Sequence, residues 1–380
     1  MNNISLVLAI LFAFNVNAQQ NIDKTITHNG LSREYRLYIP ASYNANTSVP
    51  LLFNLHGYSS NNLQQEFYGN FKPIADTANF IICHPNGTLD LSNNRYWSVG
   101  FAPDNIDDVD FISTLIDEIA ASYYIDASRV YSTGMSNGGF MSYSLACQLS
   151  DRVAAIASVT GTMTLLQQGN CSPSRTVPVM QIHGTNDPTV PYTGNTNFLH
   201  IDTLVKNWVN RNGCTGSPSI TNVPDIVTGD GATATRFDYD NCNTGGKVAL
   251  YKITNGAHTW PGASINIGVT CMDFSASLEI WKFFLQFRHP NPNPIVTVSE
   301  KQSNNIQFYP NPANNTIMVK GNTTNTIKNI QLFDLAGKLQ YAQLNNAENT
   351  IDITALPNGV YMLNVLLFNG EIITEKIIKQ

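Results

Sequence analysis

The sequence predicts an α/β protein in which a mostly parallel sheet is covered by helices on both faces, followed by a small all-β domain. From residue 25 to residue 288, short apolar strands alternate with helical stretches. A segment rich in Pro and Asn, residues 289–302, interrupts this alternation and is predicted to be a semi-rigid linker. Beyond it, residues 303–380 contain short strands of alternating hydrophobicity separated by turns, which is typical of an antiparallel β-sandwich.

An apolar segment, residues 4–14, lies close to the start of the chain. It is too short to cross a bilayer and is followed by Val16-Asn17-Ala18, a small-residue cleavage pattern. Residues 1–18 are therefore predicted to be a secretory signal peptide, and a buried amino-terminal helix is the alternative. No other apolar run is long enough to span, so we expect no membrane span in the mature protein.

The composition limits the classes of partner and of site. Charged residues make up 13% of the chain and the net charge is -6, with no basic cluster, so we expect no nucleic-acid partner. The 6 cysteines, in a chain with a signal peptide, favour disulfides over free thiols. There is no Cys-x-x-Cys and no His-x-x-x-His, so no metal site is predicted.

The first region contains seven predicted strands. The strand at 33–39 alternates as a half-exposed strand should, the one at 49–55 is a nearly continuous apolar run typical of a buried strand, and the others are further apolar strands. In chain order they are residues 33–39, 49–55, 79–83, 130–133, 153–159, 177–183 and 248–253. Helical patterns at 140–149, 199–209 and 278–287 lie between or after them, and this alternation predicts the covered parallel sheet.

A glycine-rich turn follows the strand at 130–133. It reads Gly134-Met135-Ser136-Asn137-Gly138-Gly139, and a helical run follows it directly. Gly-x-Ser-x-Gly between a strand and a helix is typical of a nucleophile elbow, in which a Cβ at either outer glycine would crowd the backbone. Ser136 is therefore the predicted nucleophile, and an ordinary turn with an idle serine is the alternative.

The loop after the strand at 49–55 is His56-Gly57-Tyr58-Ser59-Ser60. In elbow-type hydrolases this loop supplies one backbone N–H of the oxyanion hole, and the residue after the nucleophile supplies the other. We assign the hole to the amides of Tyr58, or alternatively Gly57, and Asn137. His56 is expected to brace the loop without taking part in chemistry.

The acid and the base of such a site must follow Ser136 in the chain. Among the later aspartates, Asp187 directly follows an apolar strand in a loop bounded by Gly and Pro, whereas Asp202 lies in a helical run. Of the two later histidines, His258 lies in a turn-rich loop after a strand, and His200 is beside that helical run. We predict that His258 exchanges the Ser136 proton and that Asp187 orients its imidazole.

Four segments in this order carry a family resemblance: Leu55-His56-Gly57, Gly134-Met135-Ser136-Asn137-Gly138-Gly139, His183-Gly184-Thr185-Asn186-Asp187-Pro188-Thr189-Val190-Pro191-Tyr192 and His258-Thr259-Trp260-Pro261-Gly262. They resemble the polyhydroxybutyrate depolymerase and feruloyl esterase group of carbohydrate esterase family 1 over most of residues 25–288. The resemblance implies an α/β-hydrolase fold, ester hydrolysis through an acyl-enzyme and no cofactor. It also implies disulfides Cys147–Cys171 and Cys214–Cys242, and leaves the pairing of Cys83 and Cys271 open.

Two further segments relate to the same family. Asp107-Asp108-Val109-Asp110-Phe111 matches a family block and is interpreted as a helix start with capping carboxylates. Relatives often carry a Trp-Asn segment with adjacent cysteines where this chain has Tyr96-Trp97-Ser98-Val99-Gly100. The resemblance therefore does not determine the shape of the substrate cleft. Trp97, Tyr192 and Trp260 are candidate substrate-binding residues for a sugar or phenolic group, with core packing as the alternative.

The carboxy-terminal region carries a second resemblance, in the segments Phe308-Tyr309-Pro310-Asn311-Pro312-Ala313, Leu335-Ala336-Gly337-Lys338, Asn358-Gly359-Val360-Tyr361 and Glu375-Lys376-Ile377-Ile378. They resemble the sorting domain of the type IX secretion system of Bacteroidetes. The resemblance implies that residues 303–380 engage that secretion machinery, and that the mature protein is released or attached to the outer-membrane surface. A carbohydrate-binding module is the alternative.

Together these patterns predict a secreted serine ester hydrolase whose residues 19–288 act on a polymeric or small ester. Feruloyl or acetyl groups on plant polysaccharides are the expected acyl groups. The close alternative is a polyhydroxyalkanoate depolymerase with the same chemistry. A non-catalytic polysaccharide-binding protein and a peptidase of the same fold are the alternatives of other classes.

Overall fold

The computed structural model describes residues 19–101, 105–293, 307–320, 327–334, 337–344, 350–367 and 372–380. The predicted signal peptide and most of the predicted linker lie outside these residues. The chain divides into two units, Met1–Val298 and Ser299–Gln380. Each unit is described by itself.

The first unit alternates strands and helices. Its strands are β1 (Gln20–His28), β2 (Leu31–Ile39), β3 (Val49–Leu55), β4 (Ile81–Pro85), β5 (Thr88–Leu89), β6 (Arg95–Tyr96), β7 (Ile125–Met135), β8 (Ala155–Val159), β9 (Val179–Gly184), β10 (Ser219–Asn222), β11 (Thr233–Tyr239) and β12 (Val248–Thr254). Its helices are α1 (Asn62–Tyr68), α2 (Lys72–Ala78), α3 (Asp108–Ala120), α4 (Asn137–Gln148), α5 (Leu165–Gly169), α6 (Ile201–Arg211) and α7 (Ala276–Phe284). All seven predicted strands are present; β3 has the predicted bounds, and the other six have shifted ends.

Ten of these strands form one sheet in the order β1-β2-β4-β3-β7-β8-β9-β12-β11-β10. The inner six, from β4 to β12, pair in parallel, and the strands outside them pair antiparallel. Because the inner strands are parallel, their carboxyl ends meet at one edge of the sheet. The arrangement is an α/β-hydrolase fold, as the family resemblance implied.

Both faces of the sheet are covered, as expected for buried parallel strands. Side chains of β3 alternate between the faces, so Leu51 and Phe53 join one core and Leu52 joins the other. The first core also contains residues of α3, α4 and α6, and the second contains residues of α2 and α7. Leu51, Leu52 and Phe53 are each fully buried, which stabilises the sheet by about 2 kcal/mol per side chain.

Helix α3 begins as the sequence predicted. The Asp107 side chain accepts a hydrogen bond from the Asp110 N–H at 2.9 Å, which caps the helix. Asp108 is buried and accepts a hydrogen bond at 2.6 Å from Arg33, whose guanidinium lies over the ring of Phe111. The capping interpretation is therefore confirmed, and Asp108 has an additional role as a buried ion-pair partner.

The second unit contains only strands in its described residues: β13 (Gln307–Tyr309), β14 (Thr316–Lys320), β15 (Ile327–Asp334), β16 (Leu339–Leu344), β17 (Thr350–Asp352), β18 (Gly359–Leu367) and β19 (Ile372–Lys379). They form two antiparallel sheets, β13-β14-β17 and β16-β15-β18-β19. Ile317 and Ile351 of the first sheet share one core with Leu332 and Leu363 of the second. The predicted antiparallel β fold is confirmed; Leu335 and Ala336 of the second motif lie outside the described residues.

Two disulfides are present, Cys147–Cys171 and Cys214–Cys242, as the resemblance implied. Cys83 and Cys271 are buried free thiols, so they do not form a third bridge. Burial raises the pKa of the Cys271 thiol to about 12. Among the described residues, no helix has the length and apolarity that a bilayer crossing requires.

Candidate active site

Ser136 lies in a strained turn between β7 and α4. Its φ is 54° and its ψ is -120°, a conformation that residues with a side chain rarely adopt and that costs about 1–3 kcal/mol. The turn is held from both sides. The Ser136 N–H donates to the Val159 carbonyl at 2.8 Å, and the Ser136 carbonyl accepts from the Phe140 N–H at 3.0 Å. The fold therefore holds this serine at the carboxyl edge of the parallel strands.

The glycines flanking Ser136 are required by close backbone packing. A Cβ added to Gly134 would lie 2.6 Å from the backbone of Gly138. One added to Gly138 would lie 2.2 Å from the Leu55 carbonyl oxygen and 2.7 Å from that of His56. Real Cβ atoms do not approach backbone so closely, so the steric reason predicted for these glycines is confirmed.

His56 braces the loop beside Ser136. It is fully buried, its Nε2 accepts the Gly87 N–H at 2.9 Å, and its Nδ1 lies 2.7 Å from the Gly57 carbonyl oxygen. An accepting Nε2 means that the proton is on Nδ1, which donates to that carbonyl. Burial lowers the pKa of His56 to about 4, so the ring is neutral at pH 7.

The predicted oxyanion-hole amides lie next to the serine. A Cβ on Gly57 would lie 3.4 Å from the Ser136 Cβ, and Tyr58 and Ser136 line one cavity. Neither the Tyr58 N–H nor the Asn137 N–H donates a hydrogen bond to another described residue. Two unengaged backbone donors at the start of α4 and in the facing loop can bind a developing oxyanion.

The Asn137 side chain fixes the cleft loop that contains Trp97. Its Oδ1 accepts the Trp97 N–H at 2.6 Å, and its Nδ2 donates to the Trp97 carbonyl at 3.2 Å. The next amide, Ser98 N–H, donates to the buried Asp108 at 2.7 Å. The loop wall is therefore tied to the residue that follows the nucleophile. Sequence reasoning missed this role of Asn137 because the two partners are 40 residues apart.

Asp187 and His258 are hydrogen-bonded to each other. His258 Nδ1 lies 2.7 Å from Asp187 Oδ2, and the Asp187 side chain is fully buried. The other carboxylate oxygen, Oδ1, accepts the Thr189 and Val190 N–H groups, both at 2.8 Å. Because the carboxylate accepts from Nδ1–H, the neutral imidazole has its lone pair on Nε2. His258 and Ser136 line the same cavity.

A network of buried hydrogen bonds supports the loop that contains Asp187. Gln181 Nε2 lies 2.9 Å from His183 Nδ1, and His183 Nε2 lies 2.8 Å from the Val190 carbonyl oxygen. The Tyr143 hydroxyl donates to Gln181 Oε1 at 2.8 Å. Burial lowers the pKa of His183, which favours its neutral form. Gln181 and His183 are polar residues in the buried strand β9, and this was the signal that could have revealed the network.

The cavity containing Ser136 and His258 has a volume of about 640 Å³. Tyr58 forms part of its wall, and Phe67 and Ile267 line it while remaining more than half exposed. This size is within the roughly 300–1,000 Å³ typical of small-ligand sites. The cavity can therefore hold an ester of modest size with its carbonyl near the serine.

The three aromatic residues predicted to form a substrate platform are buried. Trp97, Trp260 and Tyr192 are 0%, 1% and 5% exposed. Trp97 Nε1 donates to the His56 carbonyl at 2.9 Å, and the Tyr192 hydroxyl donates to Asp202 at 2.5 Å. The platform expectation is corrected: these residues hold loops in place, because their large apolar rings gain more from core burial than from exposure.

His200 and Asp202 lie outside the site. His200 is the N-cap of α6, where its Nδ1 accepts the Asp202 N–H at 3.1 Å. The Asp202 side chain is 59% exposed. Both therefore belong to the helical run where the sequence placed them.

One group of side chains has metal-ligand chemistry. Asp230, Cys271 and Asp273 have ligand atoms within 4.8 Å of one another in the described chain. Asp273 Oδ1 accepts the Ile226 and Val227 N–H groups, and Asp230 Oδ2 accepts an N–H at 2.6 Å. These bonds account for the carboxylates as loop anchors, so we assign no metal to the cluster.

Two family models match parts of the chain. Residues 40–215 match the family described as Phospholipase/Carboxylesterase, and residues 307–380 match the one described as Secretion system C-terminal sorting domain. The first unit has an α/β-hydrolase fold, and residues 40–215 of it are similar to phospholipases and carboxylesterases. Its elbow serine and its Asp–His pair lie at the strand edge where such enzymes have their reactive groups.

Several curated relatives are esterases. Feruloyl esterase B of Piromyces equi is 30% identical over 60% of this chain and 42% of its own length. A bifunctional acetylxylan esterase/xylanase of Neocallimastix patriciarum is 26% identical over 69% of this chain and 34% of its own length. Feruloyl esterase D of Neurospora crassa is 29% identical over 69% of this chain and 85% of its own length. The chain spans less than half the length of the first two relatives.

Proposed function

We propose that the protein is a secreted serine carboxylic-ester hydrolase that works through Ser136, His258 and Asp187. The observation that carries the proposal is the 2.7 Å hydrogen bond between His258 and Asp187, in a cavity that Ser136 also lines. Ser136 Oγ attacks the ester carbonyl while His258 Nε2 takes its proton. Asp187 accepts the Nδ1–H and stabilises the imidazolium that forms.

The amides of Tyr58 and Asn137 then bind the oxyanion of the tetrahedral intermediate. Each preorganised donor of this kind contributes about 3–4 kcal/mol to transition-state stabilisation. His258 gives its proton to the departing alcohol, which leaves an acyl-enzyme on Ser136. Water attacks the acyl-enzyme with His258 again acting as base, and the free acid and the serine are released.

The proposed substrates are plant polysaccharides that carry feruloyl or acetyl esters. Support comes from the names of the relatives, which include feruloyl esterases and an acetylxylan esterase/xylanase. The cavity wall is largely apolar, which suits a phenolic acyl group.

The proposed chain organisation is a signal peptide at 1–18, the esterase domain at 19–288, a linker at 289–302 and a sorting domain at 303–380. The match of residues 307–380 to the sorting-domain family supports export by the type IX secretion machinery. The mature enzyme would then act outside the cell or on its surface, where polymeric substrates are accessible.

The test compares the chain with its Ser136→Ala variant on p-nitrophenyl acetate and methyl ferulate. The parent should hydrolyse both, and the variant should lose at least about 10³-fold in kcat. Ser219→Ala, on the exposed strand β10, is the matched control and should retain activity. Failure of the folded parent to cleave either ester would refute the proposal.

A polyhydroxyalkanoate depolymerase is the second candidate, and one observation favours it. Phe67, Ile265 and Ile267 are 57%, 49% and 63% exposed around the cavity, which gives the rim an apolar character that a polyester surface would match. Release of hydroxybutyrate from a suspended polyester, compared with release of ferulate or acetate from xylan, distinguishes the two.

A further inference from the structure

Two more cavities adjoin the proposed active-site cavity, each sharing a lining residue with the next. The second has a volume of about 600 Å³ and shares Tyr58 with the first. The third has a volume of about 430 Å³ and shares Phe101 with the second. We refer to the three, joined at Tyr58 and Phe101, as the extended cleft. Each alone has the volume of a small-ligand site, so the extended cleft is larger than one acyl group requires.

Tyr58 is held in a defined orientation at the first junction. Its side chain is 50% exposed, yet its hydroxyl donates to Asp90 Oδ2 at 2.6 Å and accepts from Asn94 Nδ2 at 3.1 Å. Both partners belong to the turn between β5 and β6. The Ser59 N–H also donates to the Arg95 carbonyl at 2.8 Å, which ties the loop to the same hairpin. The ring is thus fixed while its surface stays accessible.

Phe101 is fixed in a different way at the second junction. Its ring is 46% exposed and packs edge-on against the buried Phe140 at 5.1 Å between centroids. It also contacts Phe198, at 5.7 Å. Backbone pairing between Thr164 and Phe198 joins the two walls of the third cavity. An exposed aromatic ring held by packing loses little entropy when a ligand binds to it.

The lining of the extended cleft suits a neutral ligand. Among the described residues that line it, Asp90 and His258 are the ionisable groups other than tyrosine. Asp90 is already engaged, because its Oδ1 accepts the Ser92 and Asn94 N–H groups and its Oδ2 accepts from Tyr58. Exposed polar side chains, such as those of Ser92 and Thr196, lie between apolar ones.

We propose that the extended cleft binds the neutral saccharide chain that carries the ester, with sugar rings packed on Tyr58 and Phe101. A sugar ring has an apolar C–H face that packs on an aromatic ring and hydroxyls that bond polar side chains at its edge. The aromatic residues of the extended cleft match the apolar face of a sugar ring, and the hydroxyl-bearing residues between them match its hydroxyls. The cleft begins at the loop that supplies a proposed oxyanion donor, so a bound chain would present its ester to Ser136. This inference rests on the proposed function.

The first experiment uses the full chain and compares kcat/KM on feruloylated xylo-oligosaccharide with kcat/KM on p-nitrophenyl acetate. Phe101→Ala should lower the ratio of the two by about 2- to 10-fold, the range expected for losing one aromatic contact. Ile220→Ala removes a similarly exposed apolar side chain from β10, outside the extended cleft, and should leave the ratio unchanged. An unchanged ratio in folded Phe101→Ala overturns the proposal.

The second experiment leaves Tyr58 and Phe101 unchanged and measures binding directly. Calorimetry with Ser136→Ala should show tighter binding of xylohexaose than of xylobiose, because only the longer chain reaches the third cavity. Equal affinities, or no binding of either, overturn the proposal. The ratio to kcat/KM on p-nitrophenyl acetate can also be measured for a hydroxybutyrate oligomer. If Phe101→Ala lowered that ratio for the oligomer but not for the saccharide ester, the proposal would be overturned in favour of a polyester ligand.

The outcomes separate this inference from the proposed function. If Ser136-dependent hydrolysis of p-nitrophenyl acetate persists while the ratio and the chain-length dependence do not change, the extended cleft is refuted and the esterase stands. If no ester is cleaved but xylohexaose binds more tightly than xylobiose, the esterase is refuted and the saccharide cleft stands.

Discussion

Replacing Asp187 by Asn tests the acid–base pair most sharply, because the structure dictates how the new amide must orient. Asp187 Oδ1 accepts two backbone N–H groups at 2.8 Å, and Oδ2 accepts His258 Nδ1–H at 2.7 Å. An asparagine keeps its carbonyl oxygen toward the two backbone donors. Its NH₂ group then faces His258 and donates to Nδ1, so the imidazole proton moves to Nε2. In this tautomer His258 cannot take the Ser136 proton.

The size of the effect follows from the cost of reversing the amide. Turning the NH₂ toward the Thr189 and Val190 N–H groups leaves both donors without an acceptor, at about 1–3 kcal/mol each. The total of about 2–6 kcal/mol lowers the population of the productive tautomer by roughly 30-fold to 2 × 10⁴-fold. We expect kcat for p-nitrophenyl acetate to fall within that range while the fold is retained.

The assay is steady-state hydrolysis, combined with thermal unfolding to verify that Asp187→Asn is folded. Asp202→Asn is the control, since Asp202 also follows Ser136 in the chain but is 59% exposed and contacts Tyr192 instead of His258. It should retain kcat within about twofold, as exposed substitutions usually have small effects. If folded Asp187→Asn kept kcat within threefold of the parent, the proposed acid assignment would be wrong.

Three further results are expected. Gly138→Ala, whose Cβ would lie 2.2 Å from the Leu55 carbonyl oxygen, should lower the free energy of unfolding by about 1–3 kcal/mol in urea, while Gly169→Ala, with open space around it, should not. His56 has a folded pKa of about 4 against 6.5 unfolded, so the unfolded state binds more protons between these values. Stability should therefore fall by about 3 kcal/mol as pH drops from 6.5 to 4, and His56→Gln should lack this component of the urea-unfolding profile. Replacing both cysteines of Cys147–Cys171 by serine, which opens a loop of 24 residues, should cost about 3 kcal/mol of unfolding free energy; no change would contradict the loop-entropy argument.

The sheet could be predicted from sequence where burial leaves a strong pattern. Strand β3 is buried at every position and its predicted bounds are the observed ones. Strand β10 is exposed at every position, so no apolar run or alternation marks it. Strands β1, β10 and β11 at the antiparallel edges were missed, while β2 and the six parallel strands that carry the candidate site were found.

The candidate site shows a similar division. The positions of Ser136, Asp187 and His258 followed from local patterns, since each lies in a turn directly after a buried strand. The burial of Trp97 could not be predicted, because it depends on Asn137 and His56, about 40 residues away in each direction along the chain. The sequence pattern shows only that a tryptophan lies in a loop. Whether that loop packs against the protein or is open to solvent depends on its tertiary contacts.

Topology explains why the acid and the base meet. Strands β9 and β12 are parallel neighbours, so the loops that follow them leave the sheet side by side. Their backbones bond directly: the Asn186 N–H donates to the Gly256 carbonyl at 3.0 Å. A Cβ on Gly184 would lie 2.1 Å from that same carbonyl oxygen, so the close approach requires glycine. The separation of Asp187 and His258 is therefore set by main-chain contacts between adjacent strand ends.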